Sequence, residues 1–236
     1  MPPVNGLTSA AAALRYWERR SEVTAHNLAN ASTDGFKAER VFGRLLGAGG
    51  EGGTVAQTAT DLRAGTLRTT DNPLDLALGT ADGFLVVNTP AGERFTRGGS
   101  FRLDADRRIV DAAGRPLLGE KGAITVPAGA SVAVAPDGAV TADGKPLGRL
   151  RVERAGAGAT LAHEGGTLFV PDAGRRPVAV ADRQLRQGAL EESNVHPVSS
   201  MVDMIAVQRA YASVQKAITT LDAVRGTAAS ELGKPV

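Results

Sequence analysis

The chain has 236 residues, no cysteine, 27 Lys+Arg against 25 Asp+Glu, and only 4% aromatic residues. Disulfide scaffolds, thiol nucleophiles and Cys-ligated metals are excluded. The balanced, scattered charge lacks the basic stripe that nucleic acid requires, and aromatics are sparse for a site that grips sugars or bases by stacking.

The length allows one sizeable core or two small domains, and 42% apolar content predicts a folded chain. The opening MPPVNGLTSAAAALRYW has no basic region followed by a long apolar one, so no general secretory signal is expected. No apolar run approaches the length of a membrane span.

Residues 7–30 read as a helix. Leu7, Ala10, Ala11, Leu14, Trp17, Ala25 and Leu28 recur near the helical period, with Ser21 as the gap. Arg15, Glu18, Arg19 and Glu22 populate the other side. At the end of this run stands AHNLANASTDGFKAER, residues 25–40. Asn30 is expected to end the helix in the left-handed conformation that Asn tolerates. Asp34-Gly35 then turns the chain, Phe36 is an apolar anchor and Lys37 begins a linker. Asn27, still helical, is expected to hydrogen-bond across a helix pair. On this reading the amides are structural and hold no small molecule.

Residues 47–53, GAGGEGG, read as a flexible linker. Their Gly47-x-Gly49-x-x-Gly52 spacing formally matches a dinucleotide fingerprint, but no β-branched strand precedes it and no helix pattern follows.

Residues 71–187 read as all-β. FLVVN at 84–88, ERFTR at 93–97, SFRL at 100–103, RIV at 108–110, AITV at 123–126 and SVAVA at 131–135 alternate with turn signals. AVTA at 139–142, GRLRVE at 148–153, TLFV at 167–170 and PVAVA at 177–181 follow. Asp82-Gly83, Pro136-Asp137-Gly138 and Asp143-Gly144 supply residues that accept the positive φ of tight hairpins. This even spacing predicts antiparallel sheets in an elongated sandwich or irregular barrel.

Helix returns at 197–226. Met204, Val207, Tyr211, Val214, Ile218 and Leu221 follow a 3-4-3-4-3 spacing, a heptad seam over about two and a half heptads. Pro197 suits a first turn, and Gly226 is a plausible stop. Thirty such residues span roughly 45 Å, long for a cap on a small β domain. A stripe without a partner also predicts terminal helices that are partly disordered before assembly.

Little points to catalysis. His26, His163 and His196 fall in three different regions without ligand spacing, so no metal site is expected. Carboxylates are numerous, but no stretch concentrates them beside aromatic platforms. Neither a Gly-x-Ser-x-Gly elbow nor a phosphate-binding Gly-x-x-x-x-Gly-Lys-Ser/Thr loop is present. No catalytic residue and no cofactor is assigned.

Three blocks together carry a resemblance. AHNLANASTDGFKAER is similar to the "NNLAN-x-x-T-x-GFK" signature of flagellar axial proteins. SNVHPVSSMVDMIAVQRAYASVQKAITTLDAV resembles their "SNV-x-P-V-x-x-M-V-x-M-I-x-x-QRAY" helix. NPLDLALGTADGFLVVNTPAGERFTRGGSFRLDADRRIV and AAGRPLLGEKGAITVP resemble the core of the same proteins. Leu85 stands where that family commonly has a second aromatic, and Phe95 replaces a usual Tyr. The family is that of the flagellar basal-body rod and hook proteins. The short length points to the rod, most like the proximal-rod FlgF type, with the distal-rod FlgG type second.

The resemblance implies a non-enzymatic structural subunit. Its N- and C-terminal helices would line a helical tube that transmits torque, with the β domain as the outer layer. Implied partners are other rod and hook-family subunits, in homo- and hetero-oligomeric assembly, and the flagellar type III export apparatus, which reads no cleaved signal. The implied location is the basal body, outside the cytoplasmic membrane. The expected organisation is an α+β fold. Residues 1–36 form an axial helix, 37–70 a Gly-rich linker or extended segment, 71–188 the β domain and 189–236 a second axial helix, the two helices forming a coiled coil. The alternative is a β-domain binding module or hydrolase with a helical oligomerisation element, which a convergent carboxylate or Ser/His site in a deep pocket would favour.

Overall fold

The computed structural model describes residues 6–45, 54–157, 159–171 and 174–232. The Gly-rich 47–53 stretch, with its linker and fingerprint readings, lies outside them. Among the described residues the fold is α+β, with two α-helices and short antiparallel strands. The chain divides into two compact units: Met1–Ala29 with Glu39–Ala59 and His196–Val236, and Asn30–Ala38 with Thr60–Val195.

The first unit holds α1 (Gly6–Ala29), the paired strands Glu39–Leu45 and Thr54–Thr60, and α2 (Pro197–Leu232). Pro197 opens α2, where its missing N–H interrupts no helical bond. Gly226 does not stop this helix, which runs on to Leu232. One glycine costs a helix interior only about 1 kcal/mol, and the residues after it are mostly good helix formers. At 36 residues α2 is about 54 Å long.

The second unit is built on a six-stranded antiparallel sheet. Its spatial order is Leu161–His163, Leu168–Pro171, Gly92–Thr96, Phe84–Thr89, Val152–Ala155, Arg175–Pro177. Phe84–Val87 of the fourth of these strands is buried on both faces, as its unbroken apolar run requires. Leu85 and Val87 enter a large core with Leu76, Ile109, Leu117, Val140 and Leu150. Phe84 and Val86 face a second cluster with Phe95, Leu118 and Phe169. The two departures from the family pattern are thereby placed: Leu85 lies on the opposite face from the aromatic cluster, and Phe95 stacks on Phe84 at 5.4 Å between centroids.

A three-stranded sheet, Val132–Val134, Ala139–Ala142 and Lys145–Arg149, packs into the larger core. Asp143 and Gly144, at φ 48° and 78°, form the two-residue turn between its last two strands. Positive φ at both positions is the geometry that matches strand twist. Near the end of the unit, Leu185–Gln187 pairs with Leu76–Leu78 and Ala189–Glu191 pairs with Leu67–Thr69.

Several readings need correction. The strand assigned to PVAVA stops at Pro177, and Val180–Asp182 is a 3-10 turn. In AITV only Ala123 belongs to a strand, Gly122–Ala123, and Thr125 makes one isolated bridge to Arg108. The strands among the described residues form one six-stranded sheet, one three-stranded sheet and short two-stranded ladders, with no closed barrel. The described residues of 37–70 carry three strands, and 189–196 precede α2 rather than belonging to it.

Candidate assembly interface

In the first unit the heptad seam has a partner: α1 and α2 pack against each other. Val23 of α1 and Val207 of α2 are the fully buried side chains of this pair. Met204, Tyr211, Val214 and Ile218 are half-buried along the same line, while Leu221 is exposed. On α1, Leu14, Trp17 and Leu28 are half-buried, and Leu7 lies in the first turn. Val23 is absent from the predicted stripe because an alanine-rich helix gives a weak period. Ser21, the expected gap, places its hydroxyl 3.8 Å from the Met204 sulfur.

A second apolar row on α2 has no such cover. Val198, Met201, Val202 and Ile205 are 76%, 54%, 62% and 51% exposed. Their i, i+3, i+4, i+7 spacing puts them on one face. At 100° per residue this face lies roughly 150° around the helix from the seam. The seam and this row thus give α2 two apolar faces, one satisfied within the chain and one open.

The AHNLANASTDGFK stretch does a different job. Asn27 does not bond across the helix pair. Its amide clamps the backbone of Glu39, donating to the carbonyl at 2.8 Å and accepting from the N–H at 2.9 Å. Asn30 is not left-handed, since the positive φ falls at Gly35, 76°. Asn30 instead accepts at its carbonyl from the Thr33 N–H, 3.1 Å, and at its side-chain oxygen from the Thr33 hydroxyl, 3.2 Å. Asp34 lies 3.3 Å from the Arg68 guanidinium. Gly35 donates to the Glu191 carbonyl at 2.6 Å, and a Cβ on it would meet the Arg97 carbonyl oxygen at 2.2 Å. Only glycine fits both the conformation and the approach.

Phe36 is fully buried, with its ring 5.4 Å from His163. Lys37 does not begin a linker; it too is fully buried. Its ammonium lies 2.5 Å from Glu191 and donates to the Arg63 carbonyl at 2.8 Å. The other Glu191 oxygen accepts from Arg97 at 3.0 Å, and the Gly65 N–H reaches Glu191 at 2.9 Å. Arg97 also bonds the Thr80 carbonyl at 2.5 Å and that of Ala81, and lies over the Phe84 ring. Burial holds both Lys37 and Arg97 below their usual values, although Glu191 opposes the shift. Asn194 completes the cluster by accepting from the Ala38 N–H and donating to the carbonyls of Asp61 and Arg63. Residue type alone gave no sign of this cluster, because its partners lie up to 156 positions apart.

Among the described residues no group of His, Cys, Asp or Glu could hold a metal ion, and no helix is long and apolar enough to cross a membrane. His26, His163 and His196 lie in α1, in the strand Leu161–His163 and just before α2.

Residues 80–142 match the family described as the flagellar hook protein FlgE/F/G D1 domain, and residues 186–231 the flagellar basal body rod FlgEFG protein C-terminal family. The flagellar basal-body rod protein FlgF of Escherichia coli K12 is 36% identical over 226 residues, 87% of this chain and 89% of its own length. The chain belongs to the flagellar basal-body rod proteins. FlgF of Caulobacter vibrioides is 34% identical, covering 92% of this chain and 93% of its own. The rod protein FlgG of Borreliella burgdorferi is 29% identical at 95% and 97% coverage. FlgF relatives therefore lie nearer than this FlgG. The match at 186–231 spans the open row of α2 as well as the seam, and begins ahead of Glu191 and Asn194.

Proposed function

We propose that the chain is a non-enzymatic structural subunit of the flagellar basal-body rod, which assembles through its terminal helices into a helical tube that transmits torque. The observation that carries this reading is the open row Val198, Met201, Val202 and Ile205 on a helix whose seam is already occupied by α1. Such side chains contribute roughly 1.5–3 kcal/mol each when fully buried, so their exposure marks a face that other axial subunits cover. In the assembled tube the α1–α2 pair acts as a coiled coil, and the strand-rich body forms the outer layer. Partners are other rod and hook-family subunits, both like and unlike. The chain works in the rod outside the cytoplasmic membrane and leaves the cytosol through the flagellar export apparatus.

Met201→Asp and Ile205→Asp test this. Each should leave helix content and the melting of the strand-rich unit unchanged, yet block incorporation. Motility and the protein content of purified basal bodies are the readouts. Normal swimming, with both variants present in basal bodies, would overturn the assignment of this face.

A further inference from the structure

We propose that Glu191 closes an order-dependent latch: the turn Thr33–Ala38 docks into the second unit only once the Ala189–Asn194 segment has arrived.

The contacts that hold the turn come from the far end of the unit. Gly35 donates to the Glu191 carbonyl, Lys37 pairs with the Glu191 carboxylate across 154 positions, and Ala38 donates to the Asn194 side chain. Both charged partners are excluded from water, at 0% and 2% exposure. A lysine docked there without Glu191 is an uncompensated buried cation, next to a second one, Arg97. The turn therefore gains nothing by docking early. The 84–96 hairpin needs only a short closure, between Phe84–Thr89 and Gly92–Thr96. Arrival of Glu191 satisfies Lys37, Arg97 and the Gly65 N–H in one step. The segment that follows α1 and the strand that precedes α2 thus become fixed to the unit together.

Amide exchange on the full chain reads the latch directly. In Glu191→Gln, the Gly35 and Ala38 amides should exchange roughly tenfold faster or more, while Val86 and Phe95 in the central sheet keep their protection. Lys37→Met, which leaves the Arg97–Glu191 pair neutral and intact, should keep both turn amides protected. Glu153→Gln, the same charge change beside the half-buried Arg151, should leave them unaffected. Equal acceleration everywhere in Glu191→Gln would make the cluster ordinary core and overturn the latch, as would no acceleration at all. If Glu191→Gln does not fold, pulse-labelled refolding of the unaltered chain decides. Gly35 and Ala38 should become protected together with the Leu67–Glu191 ladder and after the 84–96 hairpin. Protection of the turn along with that hairpin would overturn the proposal.

Discussion

The two units bury their apolar residues to very different extents. In the strand-rich unit, Phe36, Val86, Val87, Phe95, Leu117, Val126 and Leu150 are all fully buried, and even Lys37, Arg97 and Glu191 are buried with partners. Among the described residues of the helical unit only Val23 and Val207 are buried, and an apolar row remains in water. One unit is finished by its own chain, and the other has apolar surface left over. A closed interior with paired charges suits a rigid body, whereas a helix with two apolar faces suits a part completed by something else.

The largest test moves the boundaries of the closed unit. A fragment of residues 71–187 loses Phe36, Lys37 and Glu191 and leaves Arg97 without its carboxylate partner. The lost aromatic costs about 3–5 kcal/mol, and the orphaned charge a further 3–5 or so. It should fail to melt cooperatively, whereas residues 30–195 should do so. A sharp transition in the shorter piece would show that the cluster of Phe36, Lys37, Arg97 and Glu191 is dispensable.

Within the intact chain, Gly35→Ala combines positive φ with a backbone collision and should cost the strand-rich unit roughly 3–5 kcal/mol. Denaturant unfolding followed at Trp17 for the helical unit and by far-UV dichroism for the sheet would separate the two. Loss confined to the sheet signal is expected.

Val207→Asp puts an unpaired charge at the tightest point of the helix pair and should cost about 3 kcal/mol of its stability. Ile205→Asp, two positions away on the open face, should stay within about 0.5 kcal/mol. Equal effects would mean that α2 does not have one satisfied and one open face.

The smallest effects concern pH. Burial lowers the folded-state value of Lys37 below the ordinary 10.5. Between that lowered value and 10.5 the unfolded chain binds more protons, so stability should rise with pH there. Lys37→Met should remove that rise. Glu93 gives the acid counterpart. The Arg151 hydrogen bond leads the causes that hold its carboxyl below 4.5. Its stabilisation is present above 4.5 and lost as pH falls through the folded value. Glu93→Gln should flatten that acid limb, in urea titrations at a series of pH values.

What the sequence determined by itself was whatever depends on neighbours a few residues apart. The 3-4 spacing from Met204 to Leu221 marked the long helix, FLVVN the central strand and Asp143-Gly144 the hairpin turn. The motif blocks that announced the family are local too. Tertiary structure decided what the same residues touch. It turned Asn27 to the backbone of Glu39 and moved the left-handed residue from Asn30 to Gly35. It also made Lys37 a buried ion rather than the start of a linker. Residues 37–70 read only as linker or extended segment, and the pairing of Leu67–Thr69 with Ala189–Glu191 was hidden because those partners lie far apart in the chain. The heptad seam was legible as a seam, and the family resemblance implied its pairing with the other terminal helix, but the outward face of Val198, Met201, Val202 and Ile205 was not legible. Periodicity reports how many apolar faces a helix has, and only packing decides which of them the chain itself covers.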